Sequence, residues 1–241
     1  SATSIKLHMN GTHQQQYLKE IGITVWSERE LVSIEDTPTD IKHITEENKP
    51  LCKELGQELS HLANQVEACD QCELHKSRTQ TVFGIGNKNS DWLIVGEAPG
   101  ADEDFKGEPF VGRAGKLLNA MLFSIGLQRQ EVFIANILKC RPPKNRDPKI
   151  NEVEACEKYL RQQIALIKPK IILALGRIAA QNLLKSDTPI GKMRGNSYLY
   201  SDTNLPVVVT YHPAYLLRSP REKRKVWQDI KFAWDAYREL V

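Results

Sequence analysis

The sequence predicts an α/β protein, a three-layer α/β/α sandwich around a short, mainly parallel four-stranded sheet. Three observations carry that expectation. Four short apolar runs, at 92–95, 132–137, 171–175 and 207–210, alternate with helical patterns. The runs are apolar along their whole length, as strands covered on both faces are. Several of them end in glycine or in a polar loop, and ligands gather at the carboxyl ends of strands in such sheets.

Residues 1–8, just ahead of Met9, carry no structural weight, and residues 1–50 as a whole read as an N-terminal extension and linker. Within it, 13–21 suits a short helix, 23–26 a small apolar anchor, and 33–49 a linker rich in Thr, Asp, Glu and Lys. Residues 51–241 read as one domain. Pro50 fits the first turn of a helix running to about Glu67, because its missing N–H has no partner there anyway. Leu51, Leu55, Leu59, Leu62 and Val66 recur at spacings of three and four along it. A strand follows at 92–95, a helix at 115–125 and a strand at 132–137. The next helix places Val153, Leu160, Ile164 and Ile167 on one face. A strand at 171–175 precedes a helix starting near Arg177, a strand at 207–210 is the fourth, and a helix over 222–240 closes the chain.

At 241 residues, 41% hydrophobic and 26% charged, the chain has the make-up of a soluble globular protein with a sizeable core. No apolar run approaches the roughly 18 residues of a membrane span, and no secretory pattern opens the chain. The five cysteines are an odd number, so a full disulfide framework cannot use them all. In a reducing compartment, spaced cysteines more often hold metal. Cys69-x2-Cys72 is answered by Cys140 and Cys156, and four thiols there suit either zinc or an iron–sulfur cluster. Zinc ribbons tend to pair two CxxC knuckles, whereas Cys140 ends a strand and Cys156 lies in a helix. Cys52 falls outside the spacing and reads as a small buried residue.

A net charge of +3 names no partner, but its distribution is informative. Lys139, Arg141, Lys144 and Arg146 crowd one loop, while Arg218, Arg221, Lys223, Arg224 and Lys225 crowd another. Beside candidate site loops, such clusters point to a phosphate-binding face. Gly96-Glu97-Ala98-Pro99-Gly100 leaves a strand without the Lys-Ser/Thr of a phosphate loop or the third glycine of a dinucleotide fingerprint. Nucleotide hydrolysis and hydride transfer therefore lose support. Asn136 is an amide in an apolar strand, where an unmet hydrogen bond costs about 1–3 kcal/mol. It needs a partner, and an amide matches the edge of a base. Phe110 could face a planar base or pack in the core, and His212 follows a strand end ahead of Pro213.

With these loops in order, the sequence resembles the iron–sulfur, or family-4, uracil-DNA glycosylases. The matching stretches are Gly96 to Asp104, Gly107-Glu108-Pro109-Phe110-Val111-Gly112-Arg113-Ala114-Gly115, Asn136, Lys139 to Pro148, and His212 to Arg218, with all four cysteines in family positions. The resemblance implies a structural 4Fe–4S cluster on Cys69, Cys72, Cys140 and Cys156. It implies that Phe110 stacks on a flipped uracil, Asn136 pairs with its polar edge, Glu103 lies where a thymine methyl is excluded, and His212 donates to O2. Leu216 or Leu217 would fill the gap in the base stack, Arg218 would hold phosphates, and Lys139, Arg141 and Arg146 would add backbone contacts. In family-1 enzymes an Asp precedes the loop proline and positions the water. Ala98 stands there in this chain, which leaves Glu97 as the candidate. No lysine occupies a nucleophile position, so a monofunctional hydrolase leaving an abasic site is expected. Its expected partner is uracil-containing DNA, single- or double-stranded, met by a monomer in a prokaryotic cytoplasm and away from membranes. The competing reading is a non-catalytic, metal-stapled nucleic-acid-binding module.

Overall fold

A computed structural model describes residues 49–201 and 203–241, with side chains from Gly56 onward. The expectations for 13–21, 23–26 and most of 33–49, and for the side chains of Leu51, Cys52 and Leu55, lie outside the described residues. Helix α1 (Lys49–Glu67) has Pro50 in its first turn and ends at Glu67, as expected. Leu59, Leu62 and Val66 bury one face of it in the core. After a short loop come β1 (Ile85–Gly86) and β2 (Trp92–Gly96), then α2 (Ala101–Lys106), α3 (Arg113–Phe123) and β3 (Phe133–Asn136). The chain continues through α4 (Ile150–Ile167), β4 (Ile171–Leu175), α5 (Arg177–Leu184), α6 (Ile190–Met193) and β5 (Ser197–Leu199). It finishes with β6 (Pro206–Thr210), α7 (Pro213–Arg218) and α8 (Lys223–Arg238).

The sheet has six strands, in the order β1-β3-β2-β4-β6-β5, and not the four expected. The four predicted strands form its parallel centre. The two additional strands pair antiparallel at the edges. They escaped prediction because they are two and three residues long and carry no buried apolar run. Alternation of side chains along each central strand separates two cores. Leu93, Val95, Ala135, Ile172, Ala174, Val207 and Val209 face α1, α4 and α5. Trp92, Ile94, Ile134, Leu173 and Val208 face α3, α7 and α8. The sheet is thus covered by helices on both faces, as its uniformly apolar strands require.

The order of strands also places the site. From β2 the chain moves outward to β3, then crosses back past β2 to β4 and onward to β6. The connections diverge between β2 and β4, and a crevice opens there at the carboxyl ends. The loop after β2 and the loop after β6 both border it. Gly176, at φ 92°, lets the second of these come close, since a Cβ there would stand 2.9 Å from His212 Cβ.

The end of β6 is anchored from below. Thr210 donates to Asp229 Oδ2 at 2.8 Å, and Arg194 donates to both Asp229 oxygens at 2.7 and 3.1 Å. Asp229 is buried, so removing it strands Arg194 and Thr210. Asp229→Ala is expected to cost about 3 kcal/mol in a urea unfolding titration, the low end for a broken buried pair because Arg194 keeps some water.

Candidate active site and thiol centre

One pocket at the carboxyl ends of the sheet gathers Glu97, Glu103, Phe110, Asn136, Arg146, His212 and Arg218. The register of β2 on β3 pairs Gly96 with Asn136. A Cβ on Gly96 would strike Asn136 Oδ1 and stand 2.7 Å from Phe110 Cζ, so only glycine lets the amide and the ring converge. Asn136 is 2% exposed, and its Oδ1 is buried without a hydrogen-bond partner. A buried, unpaired acceptor is costly and calls for a donor that arrives from outside the chain.

Phe110 holds a left-handed backbone at φ 53°, unfavourable for a bulky residue and typical of constrained functional loops. Three groups hold it there. The Glu103 carboxylate accepts the N–H groups of Val111 at 3.0 Å, Gly112 at 3.3 Å and Gly100 at 3.1 Å, joining the two sides of the loop. Arg129 donates to Pro109 O at 2.5 Å and to Phe110 O at 3.4 Å. Gly115 leaves room for the Phe110 carbonyl, which a Cβ would hit. The Phe110 and His212 rings stack, with centroids 5.5 Å apart and planes 27° from parallel.

His212 Nδ1 accepts the Ala214 N–H at 3.1 Å, which leaves the ring proton on Nε2. Burial, aided by the charge of Arg218, lowers its pKa to about 4. The ring is therefore a neutral donor. Glu97 is shifted the other way: burial raises its pKa, repulsion from Asp147 adds to this, and Arg177 opposes it. Asp147 and Arg177 are themselves paired at 2.6 Å.

Two expectations about DNA contacts give way, those for Lys139 and Leu216. Lys139 is 1% exposed, with its ammonium on Asn136 O and Gln163 Oε1, so it cannot reach a DNA backbone. Leu216 is 1% exposed within the apolar core, whereas Leu217 is 37% exposed beside it. Arg146 lines the pocket but is bound to Glu152 by two hydrogen bonds of 2.9 and 2.5 Å. Glu152 also caps α4 through Lys149 N–H, so this pair staples the loop to the helix. Arg141 is half-buried and donates to Asn145 Oδ1 at 2.8 Å. Arg218 is exposed at the pocket rim.

Cys69, Cys72, Cys140 and Cys156 are free and line a second pocket. Cys69 and Cys72 come from the turn after α1, Cys140 from the segment beyond β3, and Cys156 from α4. Arg78, which the sequence reading did not single out, clamps this junction. It donates to Cys140 Sγ at 3.2 Å, Cys69 O at 2.9 Å and Glu67 O at 2.8 Å. The Lys139 N–H reaches Cys156 Sγ at 3.3 Å. Burial pushes Cys156 up to about 11 and raises Cys72 and Cys140 as well. Such thiols become thiolates only when a cation holds them. Among the described residues no three His, Cys, Asp or Glu side chains are grouped to hold a single ion.

Residues 83–231 match the sequence profile of the Uracil DNA glycosylase superfamily. The chain belongs to that superfamily, in its type-4 branch. It is 46% identical to the type-4 uracil-DNA glycosylase of Archaeoglobus fulgidus over 181 residues, covering 73% of this chain and 91% of the relative. It is 42% identical to the Thermotoga maritima type-4 enzyme over 175 residues, covering 71% of this chain and 91% of the relative. Similarity extends to the type-5 enzyme of Pyrobaculum aerophilum, 30% identical over 146 residues, or 54% of this chain and 64% of the relative.

The half-buried His212 makes stability depend on pH. The unfolded ring protonates near its ordinary 6.5 and the folded ring only near 4. The unfolded state binds the extra proton between these values, so His212 makes stability fall as pH drops from 6.5 to 4. Unfolding titrations of the wild type and His212→Asn should diverge over that window, with the variant showing the shallower pH dependence.

Proposed function

We infer that this protein removes uracil from DNA by hydrolysing its N-glycosidic bond, as a DNA glycosylase acting in repair. The observation that carries the reading is the buried, unpartnered Asn136 Oδ1 beside the Phe110 and His212 rings. Uracil is flipped from the helix at a cost of a few kcal/mol and enters edge-first. Its N3–H meets Asn136 Oδ1, and its O4 meets the Asn136 amide hydrogens. Cytosine has an amino group at C4 and an unprotonated N3, so both contacts would oppose like with like. Phe110 stacks on the base, and the Glu103 side chain, held by its backbone donors, forms the wall that excludes a methyl at C5.

Bond breaking at C1′ leaves the electron pair on uracil and positive character on the sugar. His212 Nε2–H donates to O2 and stabilises the leaving anion without itself losing a proton. Glu97 orients a water towards C1′ and takes up the proton that the water loses. The products are free uracil and an abasic site. Leu217 fills the vacated stack, while Arg218 and Arg141 meet phosphates. The substrate is uracil-containing DNA, single- or double-stranded, bound by a monomer whose catalytic domain spans residues 51–241. The setting is a prokaryotic cytoplasm, at the nucleoid. Among the described residues no helix is long and apolar enough to cross a membrane.

The thiol pocket fits a 4Fe–4S cluster held by Cys69, Cys72, Cys140 and Cys156. Four thiols line one cavity, and N–H donors face two of the sulfurs. When bound, the cluster supplies a covalent staple joining α1, the segment after β3 and α4, and takes no part in the hydrolysis.

Release of free uracil from labelled DNA carrying one U should survive EDTA and leave a T-containing control intact. EDTA-sensitive release would instead require a catalytic ion, and no release from folded, iron-loaded protein would leave only DNA binding. His212→Ala should lower kcat by about 10²–10³-fold, the loss seen when one donor to a developing anion is removed. Asp147→Asn removes the like charge beside Glu97, so the acid limb of the pH–rate profile should move to lower pH.

A further inference from the structure

Lys139 is buried, and among the described residues its ammonium pairs with no carboxylate. Its ammonium donates to Asn136 O at 2.8 Å and Gln163 Oε1 at 2.6 Å, both neutral oxygens. Gln163 is held in turn by Phe83 O, which accepts its amide at 2.9 Å. Lys139 adjoins the thiol centre directly: Cys140 is the next residue, and the Lys139 N–H donates to Cys156 Sγ at 3.3 Å. A neutral donor would serve the two oxygens as well without the desolvation that burying an ammonium entails. The charge has a physical reason only if negative charge lies next to it, and four thiolates on an iron–sulfur centre provide that. The connection to the base pocket is short. Asn136 to Cys140 is one continuous stretch of chain, on which Ile137 N–H bonds to Gly96 O and Leu138 N–H to Glu97 O, each at 3.0 Å.

We propose that Lys139 is a positioning residue linking the two centres: the thiolate-bound cluster balances its charge, and its ammonium fixes the carbonyl of Asn136 and so aims the amide that reads the base. The inference rests on the iron–sulfur glycosylase reading above. The base-reading amide is then set by the cluster through a single side chain rather than by general rigidity of the fold.

The test uses the full-length, iron-loaded protein and two substitutions. Lys139→Met keeps the volume and removes charge and donor, while Lys139→Gln keeps a donor and removes only the charge. Iron and sulfide content, the cluster midpoint potential and single-turnover uracil release are measured for each. Both variants should hold the cluster at a more negative potential, because a neighbouring positive charge is gone. Lys139→Met should release uracil about 10–100-fold more slowly, the range for lost outer partners of a metal site. Lys139→Gln should recover part of the rate and none of the potential. An unchanged potential in both variants, or wild-type uracil release by Lys139→Met, would overturn the proposal. If neither variant folds, Gln163→Met frees one side of the ammonium. Slower release at full iron content would then support the proposal, and unchanged release would overturn it. A wild-type protein that binds no iron would overturn the iron–sulfur reading itself, a separate failure.

Discussion

The parallel register of β2 on β3, which sets Gly96 opposite Asn136, is the constraint on which the site depends. At this pairing the absence of one side chain lets an amide and an aromatic ring share the end of the sheet. Much of the surrounding loop structure serves to keep that arrangement. Glu103 and Arg129 hold the strained Phe110 backbone from two sides, and Gly115 clears its carbonyl. Gly176 admits His212 from the neighbouring strand, and the buried Asp229 network fixes the strand end that carries it. The cost of a left-handed phenylalanine and an unpaired buried acceptor is offset by these contacts, as expected where geometry is kept for a ligand.

The base pocket and the thiol centre are neighbours along one segment, 136–140, rather than separate modules. Its backbone continues the pairing with β2 past the end of the sheet, through Gly96 and Glu97. The loop that follows Cys140 is tied by Arg146 to Glu152, which lies one turn before Cys156 on α4. Loop residues that line the pocket are thereby fastened to elements that carry cysteine. Cys140 and Cys156 are themselves members of one apolar core, and Cys69 and Cys72 pack against it.

The central strands were legible because each is a continuous apolar run, the pattern that burial on both faces imposes. The edge strands were not, since Ile85–Gly86 and Ser197–Leu199 are pinned by pairing and lack an apolar pattern of their own. At the site, Phe110, Asn136 and His212 could be picked out because their residue types are conspicuous at strand ends. The charged residues were less readable. Lys139 and Arg146 look alike in a basic run, yet one is buried under Asn136 and the other stapled to Glu152. Leu216 and Leu217 are adjacent, and only the helical phase of α7 decides which meets the core. Arg78 and Arg129 act on backbone carbonyls far away in sequence, a role that residue type alone does not announce.

Asn136, on the reading proposed above, is held unpaired for a uracil edge. A crystal structure of the protein with free uracil tests it most directly. The account predicts the base stacked on Phe110, with N3 within hydrogen-bond distance of Asn136 Oδ1 and O2 facing His212 Nε2. Uracil bound elsewhere, or an Asn136 Oδ1 paired with the protein itself while the base is bound, would contradict it.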